Sequence, residues 1–307
     1  MAFERTTNEA TLRDYKQRML RVLLHIQHHL DDPLSLDELA GVAYFSPYHF
    51  HRVFKGMIGE TVKGHIRRLR LERAAGRLKL SPQPVTRIAF EAGYDTHEAF
   101  TRAFKAAFGL APLHFRSANG GATAVPAPSG VHYREGTETR NFKTGRSGLQ
   151  TMNVQIKRIQ PMRVAFMRHV GPYSEVGATW DRLLPILGKE GFLGGDAAIL
   201  GVCYDDPEVT PPEKIRYDAC VTVDEQFAPA GDVGVQTIPG GDHAVTTHIG
   251  PYHTLGKTYA RLLGQWLPRS ACHLGSSPCF EIYLNDPGST APEDLITDIY
   301  VPLLSTR

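Results

Sequence analysis

Two internal repeats of different period divide this sequence of 307 residues and constrain how it can fold. The first repeat has an offset of 50, and its matched positions are Ser46, Phe50, Phe54 and Gly59 in one copy and Thr96, Phe100, Phe104 and Gly109 in the other. Each copy combines a helix-capping residue, two aromatic residues four positions apart and a glycine that can end a helix. The repeat therefore predicts two equivalent short helices, each with one buried side.

A shorter helix precedes the repeated helix in both copies, at about residues 36–40 and 85–92. Ser35 and Glu38 have the spacing of a capping box, which favours a helix that begins between them. Two short helices joined by a tight turn are typical of a helix-turn-helix. The sequence therefore predicts two helix-turn-helix units, and Gly109 with Pro112 ends the repeated helix of the second one.

The outward side of each repeated helix carries side chains that can form hydrogen bonds with DNA: Tyr48, His51 and Arg52 in the first copy, and His97, Thr101 and Arg102 in the second. An arginine at such a position can read a base edge, contact a phosphate or pair with a neighbouring acid. The alternative for each helix is an ordinary amphipathic helix whose polar side faces water. The histidines of the preceding helix, near residue 25, are interpreted as solvated rather than metal-binding.

The second repeat has an offset of 79 to 80 and covers the C-terminal half. Its clearest match is the segment His-x-Gly-Pro-Tyr, which occurs at residues 169–173 and 248–252. Alternating apolar residues around a single helix predict a strand-helix-strand-strand unit in each copy. Because one such unit has too few faces to bury its sheet, we expect the two copies to form an antiparallel sheet about a pseudo-twofold axis, with a cleft where they meet.

The two copies differ at one position where a difference is chemically costly. Glu281 lies in the apolar strand segment CFEIYLNDP, where the first copy has Gly201. A buried carboxylate needs a positive or hydrogen-bonding partner, and a bound cation facing aromatic rings would supply one. The candidate aromatic walls are Tyr173, Trp180, Tyr252, Tyr259 and Tyr283. The alternatives are that Glu281 is an exposed strand residue or pairs with an arginine such as Arg261, and that the rings are ordinary core residues.

Composition separates the chain into a basic and an acidic half. Residues 1–118 have 18 Lys and Arg against 12 Asp and Glu, whereas residues 151–307 have 12 against 18. The basic half suits a polyanion and the acidic half suits a cation. Between them, residues 119–150 are rich in Gly, Pro, Ala and Ser, which predicts a flexible linker. Within the basic half, we expect the helix-turn-helix units at about 11–61 and 81–116, joined by a helix at about 62–80.

Other features of the sequence exclude several classes of protein. No stretch approaches the roughly 18 consecutive apolar residues of a membrane helix, and the N-terminal segment has no apolar run suited to a secretory signal. We therefore expect a cytoplasmic protein without membrane partners. Cys203, Cys220, Cys272 and Cys279 show no metal-binding spacing, so reduced structural thiols, no metal and no cofactor are expected.

Both halves resemble known families. Residues 1–118 resemble the DNA-binding region of the AraC/XylS regulators, on the segments SLDELAGVAYFSPYHFHRVFKGMIG, RRLRLERAAGRL and IAFEAGYDTHEAFTRAFKAAFGLAPLHFR. Residues 151–307 resemble the gyrase-inhibitor-like (GyrI-like) effector-binding domain of Rob-like regulators, on the two HxGPY segments and on FEIYLNDP and TDIYVPL. Val62 stands where the first helix-turn-helix of that family often has proline, which leaves the end of its recognition helix open.

The resemblance implies a fold and a function. The fold class is multidomain: an all-α N-terminal domain with two helix-turn-helix units, and an α+β C-terminal domain of two pseudo-symmetric repeats. The function implied is a transcription regulator associated with the nucleoid, in which the six outward residues contact base edges. Glu281 corresponds to the acidic pocket residue for a bulky aromatic or cationic effector. The expected partners are double-stranded DNA, that effector and RNA polymerase.

Two alternatives to a regulator stay open at this level. Some relatives of the C-terminal domain hydrolyse reactive small molecules, and Glu281 with Tyr283 could activate a water molecule. No Ser, His and Asp arrangement supports catalysis, however, so a sensor is the main expectation and an enzyme the alternative. The third reading is an interaction protein whose acidic domain binds another protein.

Overall fold

The structure is a computed structural model that describes residues 2–118, 121–144, 152–195 and 197–304, with the backbone alone for residues 2–8. The chain divides into two units, one formed by residues 13–147 and the other by residues 1–12 and 148–307. Within the described ranges, every helix is too short or too polar to cross a membrane. The expected combination of an all-α part and an α+β part is confirmed.

The N-terminal part is built from helices. Their bounds are α1 Ala2–His28, α2 Leu36–Ala43, α3 Pro47–Ile58, α4 Val62–Leu80, α5 Val85–Glu91, α6 His97–Phe108 and α7 Pro112–Ser117. Helices α2 and α3 form the first helix-turn-helix unit, and α5 and α6 form the second. Helix α4 joins them over the range that the sequence predicts.

Capping side chains begin α2 and α6 where the sequence predicts them, and Thr61 caps α4, whereas the predicted cap Ser46 makes no side-chain capping bond at the start of α3. The side-chain oxygens of Ser35, Thr61 and Thr96 accept hydrogen bonds from the backbone N–H groups three residues later, at 3.1, 3.0 and 3.1 Å. Gly59 and Gly109 end α3 and α6 in the left-handed conformation, with φ of 85° and 78°. This conformation costs glycine little, which explains why both repeat copies have it there.

Pro112 and Val62 occupy matched positions in the two copies, and each begins a helix. Helix α6 ends at Gly109, as the sequence predicts, and Pro112 lies at the start of α7, where its missing N–H is no loss. Val62 is buried at the start of α4, and α3 has already ended at Gly59. Valine in place of proline therefore does not change how the first recognition helix ends.

Helix α4 contributes to the core of the second unit. Its later residues Leu71, Ala74, Ala75 and Leu78 form one buried cluster with α5, α6 and α7. Within that cluster the rings of Phe100 and Phe104 lie 5.4 Å apart, and Phe115 meets Phe104 edge to face at 5.2 Å. The repeated phenylalanines thus have the buried role that their spacing predicts.

Residues 121–144, which we call the strap, form neither helix nor strand. Their backbone is nevertheless held on the helical unit: the N–H groups of Val125 and Tyr133 donate to the Glu72 carboxylate, and Lys143 N–H closes a loop on Ser129 C=O at 2.8 Å. A Gly- and Pro-rich composition indicates the lack of regular structure and says nothing about such contacts. The remaining positions of the predicted linker, 119–120 and 145–150, lie outside the described residues, and the predicted domain limits stay a prediction.

The C-terminal unit contains one antiparallel sheet. Its strands are β1 Gln155–Ile159, β2 Met162–Val170, β3 Ile199–Cys203, β4 Arg216–Thr222, β5 Gly234–Ile238, β6 Gly241–Ile249, β7 Cys279–Tyr283 and β8 Ile296–Pro302. Among the described residues, the order across the sheet is β1-β6-β8-β7-β3-β4-β2-β5. Each repeat is thus a strand followed by the predicted strand-helix-strand-strand, and β3 and β7 meet at the pseudo-twofold axis.

The two repeats exchange their first strands. Strand β1 pairs with β6 of the second repeat, and β5 pairs with β2 of the first repeat. Helix α8, Gly177–Lys189, packs on β2 and β4 of its own repeat. Helix α9, Leu255–Arg261, continues into a π-helical turn at Leu262–Trp266. This exchange makes each half of the sheet depend on the other, as expected for repeats that cannot bury a sheet alone.

Candidate functional site

The repeated His-x-Gly-Pro-Tyr segment fastens each helix to its sheet. His169 and Thr179 approach to 3.2 Å in the first copy, and the matched His248 and Thr258 approach to 2.8 Å in the second. Burial lowers the pKa of His248, which keeps its ring neutral and able both to donate and to accept. The motif therefore sets the position of α8 and α9 over the central strands.

Glu281 lies on β7 at the pseudo-twofold axis. It pairs in register with Gly201 of β3, and its side is the one that faces the helices. The residue is only 5% exposed, so the alternative of an exposed strand residue is wrong. Phe280 packs in a separate cluster on the opposite side of the sheet, as the alternation of β7 predicts.

Tyrosine hydroxyls hold both oxygens of the Glu281 carboxylate. Tyr259 on α9 donates to Oε1 at 3.0 Å, and Tyr283 on β7 donates to Oε2 at 3.0 Å. The Tyr283 oxygen lies 2.9 Å from the hydroxyl of Tyr217 on β4, and it accepts from that hydroxyl because its own proton is directed at Glu281. Burial raises the pKa of Tyr217 and Tyr283 well above the ordinary value. Both hydroxyls are therefore protonated donors at neutral pH.

The predicted aromatic residues gather around this carboxylate. Trp180 on α8 meets Tyr283 edge to face, with ring centroids 6.2 Å apart, and Tyr252 meets Tyr283 at 5.5 Å. Tyr173 contacts Tyr217 at 5.9 Å, and its hydroxyl donates to the Asp205 carbonyl at 2.9 Å. We call Glu281 and these rings the aromatic cluster: Tyr173, Trp180, Tyr217, Tyr252, Tyr259 and Tyr283.

Tyr217 is the member of the aromatic cluster that the sequence analysis missed. Its signal was present in the repeat, because the matched position in the second copy is Thr297, a much smaller residue. Gly201 makes room for it: a Cβ built on Gly201 would lie 2.3 Å from the Tyr217 hydroxyl oxygen. The difference between Gly201 and Glu281 thus admits a ring on one side of the axis and a carboxylate on the other.

An open cavity in the same unit is lined by none of the residues of the aromatic cluster. Its volume is about 730 Å³, and it lies between α9 and the strands β1 and β6. Threonines, His248 and the cationic residues Lys157, Lys257 and Arg261 line it. Glu281 is not among the lining residues of this cavity. In the aromatic cluster Glu281 and Tyr259 are buried, whereas Tyr252 is 37% exposed.

The six predicted DNA-contacting residues lie on α3 and α6. On α3, Tyr48 is partly exposed, whereas His51 and Arg52 are 3% and 8% exposed and so are buried like Phe50 and Phe54. The prediction that His51 and Arg52 lie on the exposed side of this helix is therefore wrong. On α6, Arg102 is exposed, and His97 at the helix start is partly exposed.

Thr101 differs from its neighbours on α6. Its side-chain oxygen is buried and, among the described residues, has no hydrogen-bond partner. Of the candidates on α6, Arg102 is therefore the best presented for a contact outside the unit.

Sequence comparisons match both parts of the chain. A family described as a GyrI-like small molecule binding domain matches residues 152–304, and a helix-turn-helix domain matches residues 39–118. The DNA gyrase inhibitor of Escherichia fergusonii is 32% identical over 157 residues, which are 50% of this chain and 99% of that protein. Transcriptional regulator Rob of Salmonella typhimurium is 38% identical over 108 residues, which are 35% of this chain and 37% of that protein.

Comparison with solved structures finds the C-terminal domain of EcmrR, at 20% identity and a TM-score of 0.41, covering 51% of this chain and 99% of that domain. The chain spans little more than a third of the length of Rob. It covers nearly all of the gyrase inhibitor, and the helix-turn-helix match precedes that region in order along the chain. The chain belongs to the family of AraC-type regulators that carry a GyrI-like small molecule binding domain.

Proposed function

We propose that this chain is a sequence-specific DNA-binding transcription regulator whose C-terminal unit senses a hydrophobic or cationic small molecule at Glu281. The observation that carries the proposal is the buried Glu281 carboxylate among aromatic rings, on the same chain as two helix-turn-helix units. A carboxylate at the base of a ring-lined site attracts a cation by charge, and the rings add cation-π contacts.

The present partners of Glu281 are suited to exchange with such a ligand. Tyr259 and Tyr283 donate neutral hydroxyls to the carboxylate, so a cation that takes their place meets no positive charge from these two residues. Trp180 lies beside Tyr283 and would report the event by its fluorescence. Glu281 and Tyr259 are buried, so a ligand reaches the carboxylate only when rings of the aromatic cluster move apart.

The test uses two probes of the same shape and opposite charge, tetraphenylphosphonium and tetraphenylborate. We expect quenching of Trp180 by the cation, and we expect Glu281→Gln to weaken cation binding about ten-fold or more, since a charged partner contributes about 1.5 to 3 kcal/mol. In the same variant, the affinity for the tetraphenylborate anion should rise or stay unchanged. Equal loss for both probes would mean that the substitution only disturbs the site, and an unchanged cation affinity would refute the role of the carboxylate.

DNA binding is tested separately on α6. We expect Arg102→Ala to weaken binding to a selected sequence by about 1 to 3 kcal/mol if Arg102 reads a base edge. Lys105→Ala is the matched control, because Lys105 is an exposed cation on the same helix. If both substitutions weaken selected and random duplexes alike, Arg102 contacts phosphate and does not determine the sequence.

The two activities are coupled only if the ligand distinguishes two states of the regulator. A ligand with equal affinity for both states would leave promoter occupancy unchanged. We propose that ligand binding changes DNA occupancy or a contact with RNA polymerase, in the cytoplasm and at the nucleoid. A promoter assay with and without tetraphenylphosphonium measures this coupling, and Glu281→Gln should abolish the difference.

A second candidate function comes from one comparison. The C-terminal half aligns with nearly the full length of a protein named DNA gyrase inhibitor, so this unit is also a candidate for binding gyrase. A supercoiling assay with purified gyrase would test this function. Because Glu281 is buried, Glu281→Gln should weaken binding of a ligand but leave any inhibition of gyrase through the protein surface unchanged. The hydrolase alternative is not favoured, because the two relatives described above are named a transcriptional regulator and a DNA gyrase inhibitor. If the C-terminal unit were a hydrolase, mass spectrometry of a ligand incubated with the protein would show a hydrolysis product.

A further inference from the structure

Glu72, in the middle of α4, binds the strap through a fully buried carboxylate. Its side chain is 2% exposed. It accepts hydrogen bonds from Val125 N at 3.0 Å, His132 Nδ1 at 2.9 Å, Tyr133 N at 2.8 Å and Arg68 Nη1 at 3.1 Å. Three of these four donors belong to the strap. A buried carboxylate with this many donors is a strong local anchor, because each donor would otherwise lose its partner.

A second anchor holds the strap on α1, the helix that precedes the first helix-turn-helix unit. The side-chain amide of Gln27 on α1 donates to the Thr137 carbonyl, and its oxygen accepts from Thr139 N–H and Oγ1, both at 3.1 Å. The strap also touches the turn after α3, where a Cβ on Gly59 would lie 2.6 Å from Pro128 Cβ. The body of the strap therefore rests on α1, on the end of α3 and on α4.

The strap follows directly in sequence from the second helix-turn-helix unit. The chain leaves α7, which belongs to the core of the second helix-turn-helix unit, and continues within a few residues into the strap. The strap is thus joined covalently to the second helix-turn-helix unit, by hydrogen bonds to α4 and α1, and by the Pro128 contact to the end of α3. It forms a connection between the two units that is additional to α4.

We propose that Glu72 is a positioning residue for DNA recognition: by holding the strap on α4, it fixes the distance and angle between the recognition helices α3 and α6. The inference rests on the proposed DNA-binding function and assigns to it a residue that lies away from the DNA-contacting candidates. Two recognition helices on one chain bind a DNA site with two half-sites as a bivalent ligand. A fixed geometry therefore raises the effective concentration of the second recognition helix once the first is bound. It also makes affinity depend on the spacing of the two half-sites.

The variant to test is Glu72→Gln, in which one neutral amide replaces a carboxylate that serves four donors. Glu60→Gln is the matched control, because Glu60 binds the same Arg68, at 2.7 and 3.1 Å. Among the described residues, its other hydrogen bond is to His65 and it makes none to the strap. Gln27→Ala is a milder variant at a partly exposed position, and it removes the second anchor without disturbing a buried charge.

The DNA readout is half-site spacing. The wild-type chain first selects a duplex from a random-sequence pool, and affinities are then measured for that duplex, for versions with base pairs inserted between the half-sites, and for a single half-site. We expect the wild type and Glu60→Gln to lose about ten-fold on insertion. Glu72→Gln should bind the parent duplex about ten-fold more weakly, tolerate the insertions and keep its affinity for a single half-site. A merely structural role would weaken every duplex alike and would overturn the proposal.

A readout without DNA separates this proposal from the proposed function. Hydrogen exchange at the Val125 and Tyr133 amides reports release of the strap, and spin labels at the exposed positions Asp37 on α2 and Ala106 on α6 report the distance between the units. We expect a narrow distance distribution in the wild type and Glu60→Gln, and a broad one in Glu72→Gln and Gln27→Ala. A wild type that selects no sequence overturns the proposed function and with it the role in recognition. A narrow distribution in Glu72→Gln overturns the strap's role alone.

Discussion

Replacing Gly201 by alanine should disrupt the aromatic cluster without touching Glu281 directly. The added Cβ would lie 2.3, 2.5 and 2.6 Å from the Oη, Cε2 and Cζ atoms of Tyr217, which is closer than such contacts occur, so the ring must move. Moving it breaks the 2.9 Å hydrogen bond to Tyr283 and the edge contact with Trp180. Overpacking of this kind costs about 1 to 3 kcal/mol, and the hydrogen bond adds about 0.5 to 1.5.

The expected loss of stability for Gly201→Ala is therefore about 2 to 4 kcal/mol, measured by urea unfolding. Tryptophan fluorescence is a selective probe, because both tryptophans of the chain, Trp180 and Trp266, lie in the C-terminal unit. The control is the same substitution in a Tyr217→Ala background, where the methyl group no longer meets a ring and should cost less than about 0.5 kcal/mol. Equal costs in the two backgrounds would refute the steric argument.

Two further predictions concern buried polar contacts. Burial disfavours the ionised form of Glu60, but hydrogen bonds from His65 and Arg68 outweigh it and lower the pKa of Glu60 to about 2 from an ordinary 4.5. The stabilisation that ionised Glu60 gives the folded state is therefore complete above pH 4.5 and is lost as the pH falls through 2. After allowance for solvent screening, this loss is about 1 to 2 kcal/mol in the free energy of unfolding. Acid unfolding should show the loss in the wild type but not in Glu60→Gln. Thr258→Val should destabilise the C-terminal unit by about 1 to 3 kcal/mol, since it leaves a buried His248 nitrogen without its partner, and an unchanged urea midpoint would contradict that role.

The sequence predicted the helical part well because its signals are local. Caps such as Ser35 and Thr96 and the glycines after α3 and α6 act within a few residues, so their positions define the helices directly. The strap could not be predicted in the same way. Its contacts join Glu72 to residues more than fifty positions later, and neither periodicity nor composition encodes which distant backbone N–H a carboxylate will meet.

In the C-terminal unit, the repeat predicted more than periodicity alone could. Matching the copies located the aromatic residues and the exceptional position of Glu281. It did not predict the exchange of β1 and β5, because alternation shows which side of a strand is buried and not which strand lies next to it. The sequence did not single out Tyr217, whose matched residue in the second copy is Thr297, although the packing of its ring against Gly201 explains why that position is a glycine.

The asymmetry at the axis has an electrostatic reason as well as a steric one. Because Gly201 pairs in register with Glu281, a glutamate at both positions would bring two carboxylates together on neighbouring strands, with Cβ atoms about 4.5 to 5.5 Å apart. Two carboxylates so close in a buried site cannot both ionise, and the pKa of one would rise strongly. Glycine on one side avoids that repulsion and admits the Tyr217 ring, whose hydroxyl reaches Tyr283 and through it the remaining carboxylate. A symmetric sheet can therefore hold one ionised carboxylate at its centre only if its two copies differ there.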